Sequence, residues 1–538
     1  MSCSRDRAST LEPDLGVPLP KPCPTDVDMA KRPCRSWDRK PRPFRCLPVC
    51  CLLVMVMAAV GLSAQEPDLR LIDAVRAERS EVVAALLADT DVNVAQADGA
   101  TALHWAAYLD NETMAAQLVA SGAAPGAVND LGVSPLTLAC ENANSAMVSL
   151  LLEAGADPDA ATGAGETVLM SCARTGSADA IRALLAAGAD VNARERAENQ
   201  TALMWAAAQR HSAIVRLLIE QGADVGARSR ERRQVISRRL QSELKYGELG
   251  RNYGTDAEET RVGGFTPLLF AVRQGDVESA RLLLEAGADV NDRAPDGTSA
   301  LVVAVQSGHR ALAMCLLERG ANPDGAAAGY TALHAAALTG DLAVVDALLA
   351  HGARPDAQVT LATKVTRNGQ VLMIGEHLLG ATPFALAAKF AEVSIMRALA
   401  AGGADARLPL KNGWTPLMLA AGASWRYAVW DRRDRALAKA PAFQAQMYDE
   451  ANTLAAVTVL AELGVDLNAV DADGNTALHH VVDKGFDAVV ALLVERGADL
   501  SVANRRGQTP LAIVARGLTG NVQAAAATVD LLRSLGAS

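Results

Sequence analysis

Few residues in this chain have types and spacings that could do chemistry. The segment DADGN, Asp471 to Asn475, opens like a calcium loop, but the twelfth loop position is Val482, where a bidentate Glu is needed. The same five residues suit a tight turn on Asp473–Gly474. Of the nine cysteines, Cys3, Cys23, Cys34, Cys46, Cys50 and Cys51 lie in the first 64 residues. Cys140, Cys172 and Cys315 remain, an odd number without metal spacing. A Cys140–Cys172 bridge is conceivable, but the expectation is two small core residues. Asn111-Glu-Thr and Asn199-Gln-Thr are glycosylation sequons, meaningful only in a eukaryotic secretory route. There is no nucleophile motif, phosphate-binding glycine loop or HExxH. No catalytic residue, cofactor or metal is assigned, and an enzyme is not expected.

The elements that carry these residues recur. TALHWAA at Thr101 to Ala107 returns as TALMWAA at Thr201 to Ala207. The capping Thr or Ser falls at Thr101, Ser134, Thr167, Thr201, Thr266, Ser299, Thr331, Thr382, Thr415, Thr476 and Thr509. The steps are 33, 33, 34, 65, 33, 32, 51, 33, 61 and 33, a period near 33 that marks a solenoid. Half of the residues are hydrophobic and only 4% aromatic, so the core is built from Ala, Leu and Val.

The units resemble ankyrin repeats. The resemblance rests on GATALHWAA (Gly99 to Ala107), GFTPLLFAV (Gly264 to Val272), GYTALHAAA (Gly329 to Ala337) and GWTPLMLAA (Gly413 to Ala421). Tags such as LLEAGADPDA (Leu151 to Ala160) follow. It implies an all-α solenoid of about eleven helix-turn-helix repeats with β-turn fingers, after an N-terminal capping helix pair within Leu69 to Ala95. It also implies buried positions for Trp105 and Trp205, and hydrogen bonds between units from His104, His334 and His479. The local chemistry agrees: Thr266 is an N-cap before Pro267, and the paired alanines allow first helices to approach closely. Helices of two to three turns need neighbours for stability.

The chain divides into a signal region (1–64), the cap (65–97), repeats (98–227), a basic finger insertion (228–263), repeats (264–357), a second finger insertion (358–380) and repeats (381–538). An aromatic insertion at 424–452 splits the last block. Arg228 to Lys245 reads as a basic, weakly amphipathic helix. Asn368–Gly369 reads as a hairpin tip in an extended finger.

LPVCCLLVMVMAAVGLSA, Leu47 to Ala64, follows a basic flank and ends in small residues, as a secretory signal does. Cleavage is expected after Ala64, and Met29 offers a more typical start. An uncleaved membrane anchor is the alternative, because 18 apolar residues approach a span. The formal charge of −10 becomes −14 once the ten Lys/Arg and six Asp/Glu of residues 1–64 are removed, which argues against nucleic acid. The composition favours a bacterial source.

The expected function is a monomeric, non-catalytic scaffold, periplasmic or secreted, that binds a protein partner. A membrane-anchored envelope protein, or an enzyme with a site between insertions, is the alternative. By resemblance, contacts come from the fingers and the end of each first helix: Tyr108, Arg174, Arg273, Lys389 and Phe390. Trp414 beside a turn glycine, and Trp425, Tyr427 and Trp430 in the aromatic insertion, complete the candidate set.

Overall fold

The computed structural model describes residues 67–237, 257–362, 374–423, 449–516 and 522–537. Every element below belongs to the unit Asp68–Ser538.

Each of the eleven Thr or Ser positions caps a helix. The pattern is a short first helix and a longer second one, as in Ala102–Tyr108 with Glu112–Ala120 and Pro135–Glu141 with Ser145–Glu153. Thr266 shows why the start is sharp: its extended backbone turns its side chain to accept from Leu269 N, and Pro267 at the first helical position loses no hydrogen bond. First helices stack on first helices, and second helices on second helices. Ala106, Ala107, Ala206 and Ala207 are fully buried, and it is their size that allows this approach. Between units the fingers touch through single backbone bonds: Asp130 N donates to Asp98 O (2.8 Å), Gly163 N to Leu131 O (2.8 Å) and Arg196 N to Ala164 O (3.0 Å). The turn is tight enough at Gly297 (φ 90°) that a Cβ would lie 2.6 Å from the backbone of Ala327. The capping pair is Arg70–Arg76 and Ser80–Leu86.

Two expectations are corrected. The basic insertion does not start as a helix: Glu231–Ser237 (β1) pairs antiparallel with Ala257–Gly263 (β2), in register from Glu231 against Gly263 to Ser237 against Ala257. The insertion prolongs the finger that Arg230 already enters in extended form, and β-branched Val235 and Ile236 suit a strand. Residues 238–256 lie outside the described set. Cys140 and Cys172 are not separate core residues but form a disulfide between consecutive first helices, with Cα atoms 4.7 Å apart. Two residues at nearly the same place in adjacent, closely stacked helices meet that distance.

The second finger insertion is closed at its base by Val359 N to Ala381 O (2.9 Å) and Gly380 N to Val359 O (2.8 Å). The expected hairpin tip Asn368–Gly369 lies outside the described residues. So do residues 424–448, which include Trp425, Tyr427 and Trp430 and fall between helices Pro416–Ala420 and Glu450–Glu462.

Candidate partner-binding surface

The surface is best read in register, counting from the capping Thr of each unit. At plus three stand His104, His334 and His479, whose Nδ1 atoms accept from the backbone N–H of Thr101, Thr331 and Thr476 at 3.0–3.1 Å. That fixes the tautomer, so Nε2 carries the proton and donates to a carbonyl of the next finger: Val133 O (3.1 Å), Ala381 O (3.2 Å) and Gln508 O (3.0 Å). These are the bonds between units that the family resemblance implies. Burial pushes all three imidazoles below their usual range, His334 to about 4. They are structural struts, and among the described residues no group of His, Cys, Asp or Glu gathers to hold a metal.

At plus four stand Trp105 and Trp205, which the expectation placed in the core. Both are half-buried, with one edge against the core. The plus-four position lies on the flank of the first helix, whereas plus two, Leu103 or Leu203, points inward and is buried. The exposed faces carry cations from the preceding unit. Arg76 lies 4.5 Å from the Trp105 centroid, and Arg174 5.8 Å from that of Trp205. Arg76 and Arg174 occupy the same register, seven residues after their helix N-caps.

That arrangement decides the fate of several candidate contacts. Arg174 is engaged, since it pairs with Glu141 and stacks on Trp205. Beside it, burial raises the Glu166 carboxyl above its usual range against a 3.1 Å hydrogen bond from Ser171. Lys389 is buried, a correction to its expected exposure, with its ammonium 5.4 Å from the half-buried Phe390 ring. Of these plus-seven side chains, Arg174 is laid against the neighbouring unit. Arg273 is half-buried. Trp414 is half-buried and meets the His377 ring edge-on at 6.3 Å. Among the described candidates only Tyr108 stands open, 59% exposed, braced edge-on by Trp105 at 5.7 Å.

Three histidine contacts were not anticipated. His211 and His309, each just before a second helix, place Nε2 3.1 Å from Arg174 O and Arg273 O of the preceding unit. The available signal was His where other units put Asn111, Asn144 or Asp276 as N-cap. His480, at plus four, lies 3.0 Å from Asp471 in the turn Asp471 to Asn475. Burial opposes ionisation of that carboxyl, but His480 and the Asn475 amide hold it at about 2.

Comparison with known proteins gives the same architecture. The family model described as ankyrin repeats (3 copies) matches residues 71–162, 158–229, 268–359 and 445–531, more than half of the chain. Ankyrin repeat protein FPV219 of fowlpox virus (strain NVSL) is 38% identical over 60 residues, 11% of this chain and 14% of that protein. Ankyrin repeat-containing protein P1E11.10 of Schizosaccharomyces pombe is 40% identical over 48 residues, 9% of this chain and 23% of that one. The chain thus spans under a quarter of either relative's length. The human ASB11 ankyrin repeat domain is 25% identical, with a TM-score of 0.37, covering 47% of this chain and 98% of that domain. With the capped helix pairs, the histidine struts and a family model matched over most of the repeats, the chain belongs to the ankyrin repeat family.

Proposed function

We propose that the protein is an exported scaffold that binds another protein through its fingers and the adjoining ends of its first helices. Ankyrin repeats mediate protein–protein interaction, and the fold is typically non-catalytic. The observation that carries the reading is the preformed register of finger and first-helix positions. A partner meets many points on a surface already ordered, so little conformational entropy is lost on contact. Export is supported by the signal-like segment Leu47 to Ala64 and by the Cys140–Cys172 disulfide, a bond at home in oxidising compartments. Among the described residues no helix is long and apolar enough to cross a membrane.

Affinity capture tests the reading. Tagged full chain is compared with a form lacking residues 424–448, using the envelope fraction and culture fluid of the source cell. One protein retained in fixed proportion by the full chain supports the scaffold, and its loss from the shortened form assigns the contact to the aromatic insertion. Two well-folded baits that retain nothing refute it.

A further inference from the structure

The ribbon of β1 and β2 is held by its neighbours only near its base. On one side the preceding finger meets it at Arg230, whose N–H donates to Glu198 O, and at Arg232, 2.9 Å from the Glu198 carboxylate. On the other side the next finger comes against Gly264, where a Cβ would lie 2.5 Å from Pro295. Among the described residues no backbone hydrogen bond joins Ala257–Gly263 to anything but β1. The outer edge of β2 is thus an unpaired row of N–H and C=O groups, seven residues long.

The register inside the ribbon serves the charges of β2 poorly. Arg261 stands opposite Arg233, Glu259 opposite Val235 and Glu258 opposite Ile236. Like charges directly opposite are unfavourable, and an acid opposite an aliphatic residue gains nothing. Arg261 reaches Glu231 on the diagonal at 3.2 Å, an exposed pair that contributes little.

The β2 sequence AEETRVG is, by contrast, complementary to itself. Laid antiparallel against a second copy with Thr260 opposite Thr260, it sets Glu259 opposite Arg261 twice, and Glu258 opposite Val262. Moving the centre to Glu259 or to Arg261 sets that charge against itself. The β1 edge has no such solution. The one centre that brings Glu231 opposite Arg233, at Arg232, also sets Arg232 opposite itself. Charges of one sign guard an edge against pairing, whereas those of β2 match their own copy.

We infer that β2 is a contact between two copies of this chain, paired antiparallel about a two-fold axis at Thr260. The product is a four-stranded sheet in which the two β2 strands lie at the centre. A contact that uses the same edge on both copies closes on itself, so association stops at two. Seven residues from each copy make a small contact, and the dimer is accordingly weak and dependent on concentration. This departs from the monomer expected from the sequence alone, and it stands apart from the partner reading above.

Sedimentation equilibrium of the full chain over a roughly hundredfold range of concentration tests it. The unmodified chain should pass from monomer toward dimer. Glu259→Arg and Arg261→Glu should each stay monomeric, because each sets like charges opposite one another. The first does so while making the chain less acidic, so general repulsion does not explain its loss. Mixed in equal amounts, the two variants should dimerise, because every opposed pair then joins an acid to a base. Recovery in the mixture also shows that both variants fold. A chain that is monomeric throughout, variants that dimerise as the unmodified chain does, or a mixture that stays monomeric overturns the inference. None of these results would disturb a partner found by capture, so the scaffold reading fails or stands separately.

Discussion

The guanidinium of Arg174 lies 5.8 Å from the ring centroid of Trp205, across the boundary between two consecutive units. The same relation joins Arg76 to Trp105 at 4.5 Å. In a solenoid each unit is stable only through its neighbours, so a contact that crosses the boundary adds to the coupling of the whole array. Arg174 is partly shielded, at 27% side-chain exposure, and also pairs with Glu141. Replacing Arg174 with Gln should lower stability by about 1 kcal/mol. A lower urea midpoint would show it, and an unchanged midpoint would mean the stacking contributes nothing.

The Cys140–Cys172 disulfide closes a span of 32 residues within the array. Loop entropy alone gives such a link about 3–4 kcal/mol. The double variant Cys140→Ala/Cys172→Ala should unfold at clearly lower urea than the oxidised protein, and a reducing agent should bring the unmodified chain to the same place. In denaturant without reductant, Cys315 should be the one residue of this trio that alkylates, since it is the free cysteine among them.

The histidine struts give stability a pH dependence. Burial depresses His334 from the ordinary imidazole value of about 6.5 to about 4, and His104 and His479 shift in the same direction. Below the unfolded value the unfolded chain binds the proton that the folded strut refuses, so stability falls as pH falls. The contribution is complete above about 6.5 and is lost on the way to about 4, where His334 alone accounts for ~3 kcal/mol. Denaturation midpoints measured between those limits should decline on acidification, and His334→Gln should flatten the slope. A slope unchanged by that substitution would assign the effect elsewhere.

Gly297 holds φ at 90° with the next finger against it. Ala at this place meets the backbone of Ala327 and an unfavourable left-handed conformation. Gly297→Ala should therefore cost at least about 1–2 kcal/mol, read from thermal unfolding. Gly287→Ala separates the two causes: it shares the positive φ (95°) but has nothing within 4 Å, so it should cost less.

The repeat itself was legible because its signals are local. A Thr that caps, a Pro that tolerates the first turn and an Ala pair that must be buried each declare themselves within a few residues, and the period multiplies them. What escaped was pairwise. Nothing near Cys140 announces Cys172 until the two first helices are stacked. Val235 and Ile236 fit a helical spacing, and only the partner strand from Ala257 decides for a strand. Lys389 and Arg174 read as surface charges because the sequence shows neither the burial of Lys389 nor the Trp205 ring of the next unit on which Arg174 stacks. Trp105 and Trp205 differ because Glu195, the counterpart of Gln96 in a finger one residue longer, turns its carboxylate to the N–H groups of Ala197, Glu198 and Gln200.

The central claim is that the fingers and first-helix ends form the binding face. Site-specific photo-crosslinking in the source cell tests it most directly. A photoreactive residue would replace Leu131 or Arg196 on the fingers, Tyr108 on a first helix, or Arg182 and Glu220 on second helices. One discrete adduct from the finger and first-helix positions, with none from the second-helix positions, is the expected result. Adducts confined to Arg182 and Glu220, or none from any position in a folded and exported chain, would contradict it.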